Sequence, residues 1–214
     1  MKPYASSPAS FLKQEVTGII LAGGRAQRMG GADKGLVLLN GIPMVEHVIT
    51  VLRREVDNLL INANRNLEQY AAFGYPVIPD MLGGFLGPLA GMASGMQAAK
   101  TKYIITVPCD SPLITDGLVR RLHEAMEREK ADISTAHDGA RTHPVFALIR
   151  CDLLTDLLDF LNAGERKIDR WYARHRLAIA HFIDKPKSFL NVNSPEERAE
   201  LENLLVAEKT GNVE

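Results

Sequence analysis

Cysteine is scarce in this chain of 214 residues: there are two, Cys109 and Cys151, far apart and without C-x-x-C spacing. That scarcity argues against a disulfide scaffold and a thiolate zinc site, and it suits a reducing compartment in which both thiols are free. An excess of positive charge is missing as well. Lysine and arginine number 25 against 26 acidic residues, so no basic field gathers nucleic acid or an anionic membrane. Any polyanionic ligand has to be small. No stretch approaches the roughly 18 consecutive apolar residues of a spanning helix. The opening Met1 to Ser10 carries prolines and serines but not the apolar core that a secretory signal needs. The expectation is a soluble, cytoplasmic protein. No linker or internal repeat interrupts the chain, and its length fits one large domain with a three-layer core. The expected limits are a flexible tail over 1–15, a single domain over 16–207 and a polar tail over 208–214.

Against these absences stands one dense segment, Leu21-Ala-Gly-Gly-Arg-Ala-Gln-Arg-Met-Gly-Gly-Ala-Asp-Lys34. It follows the apolar run Val16 to Leu21, which reads as a buried strand, so the glycines lie where a strand's carboxyl end opens into a loop. Open α/β sheets bind ligands there. Gly23, Gly24, Gly30 and Gly31 let backbone N–H groups turn toward phosphate, while Arg25, Arg28 and Lys34 supply positive charge. The letters do not fit the two commonest glycine loops. The dinucleotide fingerprint G-x-G-x-x-G fails after Gly23, and Gly30 with Gly35 has P-loop spacing but is followed by Leu36 and Val37 rather than lysine and a hydroxyl.

The remaining pattern alternates strands and helices. Extended segments are expected at 58–62, 75–79, 102–107, 132–136, 144–149 and 177–182, with helices over 44–56, 88–100, 115–130, 152–163, 168–175 and 195–206. Thr115 and Ser194 are read as N-caps, and Asn64 as a helix cap. Such alternation predicts an α/β fold of three α/β/α layers around a mostly parallel sheet.

Three further motifs fall at strand ends. Pro108-Cys-Asp-Ser-Pro112 places Asp110 just past a buried strand, where one carboxylate suits Mg²⁺, an ion that takes one or two protein carboxylates plus phosphate oxygens and water. Asn62-Ala-Asn-Arg65 and Asp80 put polar side chains at the same edge, able to bond a base or ribose. Phe189-Leu-Asn-Val-Asn-Ser-Pro-Glu196 alternates Asn191 and Asn193 on one side of an extended segment. No Ser-His-Asp or Cys-His set stands out.

The L-A-G-G-x3-R-M-G-x3-K loop, with these motifs following in order from residue 18 to 197, resembles the molybdenum cofactor guanylyltransferases, the MobA family of nucleotidyltransferases. The resemblance implies a Rossmann-like nucleotidyltransferase fold and transfer of GMP from GTP to molybdopterin with Mg²⁺ as cofactor. It implies catalytic roles for Lys34, Arg28 and Asp110, with Asp110 on the metal. Leu21, Ala22, Gly23, Gly24, Lys34, Asn62, Asp80 and Asp110 would bind GTP. On the acceptor side it points to His143, Arg166, Asn191 and Asn193, although a core histidine and a basic solvated loop are the plainer readings of the first two. Transient contact with molybdenum-insertion proteins or molybdoenzyme chaperones is compatible with it. Three other readings stay open: a cytidylyl or sugar-phosphate nucleotidylyltransferase, a regulator that binds GTP without chemistry, and a docking scaffold.

Overall fold

The computed structural model describes residues 13–24, 33–83 and 87–211, with side chains to residue 205. Strand β1 (Val16–Leu21) is buried along nearly its whole length, as is β6 (Tyr103–Pro108). Runs of β-branched and apolar residues without polar alternation are what strands covered on both faces require. β1 and β6 pair directly, and on the other side of β1 lie β4 (Asn58–Asn62) and then β5 (Val77–Ile78), all four parallel. The hairpin β2 (Leu38–Leu39) and β3 (Ile42–Pro43) turns through Asn40-Gly41, both at positive φ. Completing the large sheet are β7 (Ile133–His137), β8 (Thr142–Arg150) and β9 (Leu177–His181), in the order β5-β4-β1-β6-β8-β7-β9. Six strands run one way. Only β8 is antiparallel, returning from a turn at residues 138–141 and inserting between β6 and β7. The Asp138 side chain stabilises that turn by accepting the backbone N–H groups of Ala140 and Arg141.

Helices cover both faces. On one, α1 (Met44–Leu52), Tyr70 of α2 (Leu67–Ala71) and α4 (Leu118–Glu129) bury their apolar stripes with Val16, Ile20 and Ile105. On the other, α3 (Pro88–Ala98), α5 (Leu154–Asn162) and α6 (Ile168–Tyr172) pack with Ile19, Ile104 and Trp171. Successive residues Ile19 and Ile20 thus serve opposite faces, the period of two that a strand imposes. The small residues of α3 let it lie close: at Gly95 an added Cβ would sit 2.8 Å from Ile19. This is the three-layer, mostly parallel fold that the alternation predicts. The last helix, α7 (Pro195–Gly211), continues past the expected limit at 207, and residues 13–15 are already helical, with the Lys13 carbonyl accepting from Asp57 N–H. Among the described residues no helix is long and apolar enough to cross a membrane.

The cap expected at Thr115 does not form. Helix α4 begins at Leu118, and Thr115 makes no cap bond; the Glu55 carboxylate, just beyond the end of α1, accepts instead from the N–H groups of Gly117, Leu118 and Val119. Burial raises the pKa of that carboxyl, opposed by those three donors. A cap supplied from 62 residues away leaves no local signal. Glu55→Ala should therefore destabilise the fold by about 1–2 kcal/mol, since it strands three helix-start donors, whereas Thr115→Ala should lie within about 0.5 kcal/mol of wild type. Chemical denaturation of the two variants checks the ranking.

Candidate active site

The parallel register brings the site together. Ile78, Asn62, Leu21 and Pro108 form one rung across β5, β4, β1 and β6, so the residues just beyond them emerge on a single edge. There a cavity of about 420 Å³ is lined by Leu21, Ala22, Gly23, Gly24, Lys34, Asn62, Asp80, Asp110, Asn191 and Asn193, among others. Ten residues singled out from the sequence thus meet in one place. Arg28 lies outside the described residues.

At the centre the Lys34 ammonium donates to Asp110 Oδ2 at 2.9 Å and to Asn193 Oδ1 at 2.6 Å. The Asp110 side chain is only 9% exposed, so its charge acts in a medium of reduced dielectric and the pairing with Lys34 is stronger than on an open surface. Its second oxygen accepts more loosely from Asn191 Nδ2, at 3.3 Å, and Ser111 Oγ bonds Asn191 Oδ1 at 3.0 Å. A backbone bond from Val192 N–H to the Asp110 carbonyl pins the segment carrying both asparagines. That segment is extended without being a ladder strand; Val192 turns inward onto Leu39, Met44 and Leu201 while its neighbours face the cavity. Ser194 caps α7 by accepting from Glu197 N–H, as the sequence predicts.

A second cluster lies at the β4 edge. Asn62 Nδ2 donates to Asp80 Oδ1 at 2.9 Å, and Asn64 Nδ2 to Asp80 Oδ2 at 2.8 Å, while Asn64 Oδ1 accepts from Asp80 N–H. Asn64 is thus no helix cap. It is the bracket that fixes Asp80. Gly91 of α3 permits the arrangement, since a Cβ there would overlap Asn62 Oδ1 and Leu21.

The structure does not bring His143 or Arg166 to the cavity. The buried His143 ring bonds Asp138 at 2.7 Å and stacks on Phe189 at 4.7 Å between centroids, which makes it a core histidine. The Arg166 guanidinium donates to the carbonyls of Leu161 and Glu165, closing the end of α5. Conversely, Asp33, Arg65, Cys109 and Val145 line the cavity without having been given a role. Asp33 sits inside the glycine-rich segment beside Lys34, the one signal available for it. Burial pushes the Cys109 thiol well above its usual range, so it offers no thiolate nucleophile.

No group of three carboxylate, histidine or cysteine side chains forms a metal cage among the described residues. Mg²⁺ asks for less: one buried carboxylate with a weakly engaged oxygen facing a polyphosphate pocket is a fitting donor, and Asp110 is one.

A doubly wound sheet with a glycine loop, a lysine and a carboxylate converging beyond its carboxyl ends defines a nucleotidyltransferase-type site. Comparison with known proteins narrows the class. Residues 18–179 match the model of the MobA-like NTP transferase domain. The chain is 49% identical to the molybdenum cofactor guanylyltransferase of Shewanella sediminis over 191 residues, covering 89% of this chain and 97% of that one. With the enzyme of that name from Shewanella sp. strain MR-4 the figures are 50%, 87% and 95%. A crystal structure of molybdopterin-guanine dinucleotide biosynthesis protein A from Archaeoglobus fulgidus superposes with a TM-score of 0.72 at 18% identity, over 89% of this chain and 99% of that one. The 4-diphosphocytidyl-2C-methyl-D-erythritol synthase of Anaerococcus prevotii shares the fold at 0.70 and 12%, over 93% and 99%. The chain belongs to the MobA-like NTP transferase family, whose members usually use a divalent metal ion.

Proposed function

We propose that this protein transfers GMP from GTP to molybdopterin, forming the molybdopterin guanine dinucleotide and releasing pyrophosphate, with Mg²⁺ as its metal. The observation that carries the reading is the contact of Lys34 with both Asp110 and Asn193, which joins the glycine-loop half of the site to the carboxyl-terminal half. A donor triphosphate and an acceptor phosphate must meet at such a junction. A terminal phosphate oxygen of the acceptor attacks the α-phosphorus; that P–O bond forms as the bond to the β-phosphate bridging oxygen breaks, and the electron pair leaves with pyrophosphate. A phosphate monoester with second pKa near ~6 is largely a dianion at neutral pH, so the chain need supply no general base. This agrees with a site whose cysteine is held as a thiol and whose nearest sequence-marked histidine is sequestered on Asp138.

Catalysis then rests on position and charge. Lys34 neutralises the triphosphate and the charge that grows on the leaving group. Asp110 would hold Mg²⁺, which when bound supplies further neutralisation of the phosphates. Asn191 and Asn193 orient the acceptor, and Asp80 receives the base. Arg28 is assigned to the triphosphate by family resemblance. A cytoplasmic setting and transient hand-over to molybdenum-insertion proteins or molybdoenzyme chaperones belong to the same reading. A purified sample given α-labelled GTP, Mg²⁺ and molybdopterin should move label into the pterin product with one pyrophosphate per transfer. Hydrolysis to free GMP at the same rate without molybdopterin would contradict the proposal.

A further inference from the structure

Building on the function proposed above, we propose that Tyr70 is a positioning residue for Lys34: its hydroxyl clamps Asp33 and thereby fixes the turn from which Lys34 reaches the triphosphate. Asp33 presents a difficulty that this role resolves. A carboxylate lining a cavity meant for a triphosphate opposes its ligand by charge. Here both of its oxygens are taken by donors from α2 and its N-terminal flank: Tyr70 Oη donates to Oδ1 at 2.5 Å and Asn66 Nδ2 to Oδ2 at 3.2 Å. The Asp33 carbonyl in turn accepts from Leu36 N–H at 3.0 Å, and Lys34 O from Val37 N–H at 3.2 Å, so the short helical turn carrying Lys34 starts at the clamped residue.

Tyr70 is fully buried within the cluster that also holds Val45, Ala63 and Cys109, which gives the clamp a rigid base. The phenol can reach Asp33 only because residue 35 is glycine. A Cβ there would lie 2.5 Å from Tyr70 Oη and 3.2 Å from Cys109 Sγ. Burial first, and after it the proximity of Cys109 and the hydrogen bond and charge of Asp33, hold the Tyr70 phenol protonated far above its usual range, so it remains a donor. A rigid anchor one residue before Lys34 matters because a lysine is a point charge on a flexible stem, and its value depends on where its backbone begins.

The test is a double-mutant cycle read by GTP dissociation constant and by kcat/KM for GTP with molybdopterin and Mg²⁺. Lys34→Ala alone should weaken GTP handling at least about tenfold. Tyr70→Phe, which removes one oxygen and keeps the ring, should cost about tenfold where Lys34 is present and less than about twofold in the Lys34→Ala background. An equal cost in both backgrounds, or none in either, would overturn the clamp, since a general structural role does not depend on what stands at residue 34. Should Tyr70→Phe fail to fold, Asn66→Gly frees the other Asp33 oxygen without changing the charge of the cavity, suits the positive φ of residue 66, and enters the same cycle: a cost in GTP binding only where Lys34 is present supports the clamp, and an equal cost in both backgrounds, or none, overturns it. If the wild type transfers no nucleotide to molybdopterin, the proposed function falls. The dissociation constants of the four proteins still decide the clamp.

Discussion

Asp110→Asn should reduce transfer on the order of a thousandfold or more while leaving the fold in place. The substitution is nearly isosteric and retains an acceptor for Asn191, and the backbone bond from Val192 to the residue 110 carbonyl is untouched. What disappears is the carboxylate charge that pairs with Lys34. The Lys34 ammonium loses its partner at 2.9 Å, and the candidate metal ligand becomes a neutral amide, a much weaker donor to a cation than a carboxylate. Both losses fall on the transition state, where charge on the α-phosphoryl group and on the departing pyrophosphate is greatest, so kcat should fall further than KM rises. Turnover at saturating Mg²⁺ beside a thermal melt tests this. A variant within tenfold of wild type would remove Asp110 from the catalytic machinery.

The second large effect concerns the base. Asp80 is held by the amides of Asn62 and Asn64, one on each carboxylate oxygen, and a carboxylate offers about four acceptor positions, so capacity remains on both oxygens. Guanine presents N1–H and an exocyclic amino group, two donors suited to such an acceptor; adenine and cytosine do not offer this pair. Asp80→Ala should lower kcat/KM for GTP by about a hundredfold, from two lost or unpaired bonds at roughly 1–3 kcal/mol each, and change the values for ATP and CTP far less. The preference for GTP then narrows. If the variant kept the wild-type ratio of GTP to CTP, the base would be read elsewhere, with the carbonyls near Leu21 and Ala22 as the remaining acceptors on this edge.

How far the sequence alone reaches differs between backbone and side chains. The parallel strands were legible because burial on both faces demands uninterrupted apolar runs, as in Val16–Leu21 and Tyr103–Pro108, and strand ends in a doubly wound sheet gather ligand residues by topology. Lys34 and Asp110 are 76 residues apart, yet Asp110 sits just past β6 and Lys34 ends the glycine-rich segment that follows the adjacent β1, so motif position sufficed to bring them together. The insertion of β8 between β6 and β7 was not legible, because a hairpin's pattern is the same wherever it docks. Side-chain partnerships were the least visible. Glu55 capping α4, Asn64 bracketing Asp80 and Tyr70 holding Asp33 all join segments brought together only by the folded sheet. His143 illustrates the converse: polar residues beside a motif invite a functional role, but its ring is committed to Asp138 and Phe189 in the core.

The central claim is that this site passes a guanylyl group to a molybdopterin phosphate. Its most direct test is kcat/KM for GTP, CTP and ATP measured side by side with molybdopterin and Mg²⁺, following pyrophosphate and the dinucleotide product. The account predicts that GTP exceeds both others by about a hundredfold or more, as expected when the two carboxylate oxygens of the half-buried Asp80 are satisfied together only by guanine. CTP as the better donor would contradict it and make the protein a cytidylyl transferase built on the same fold.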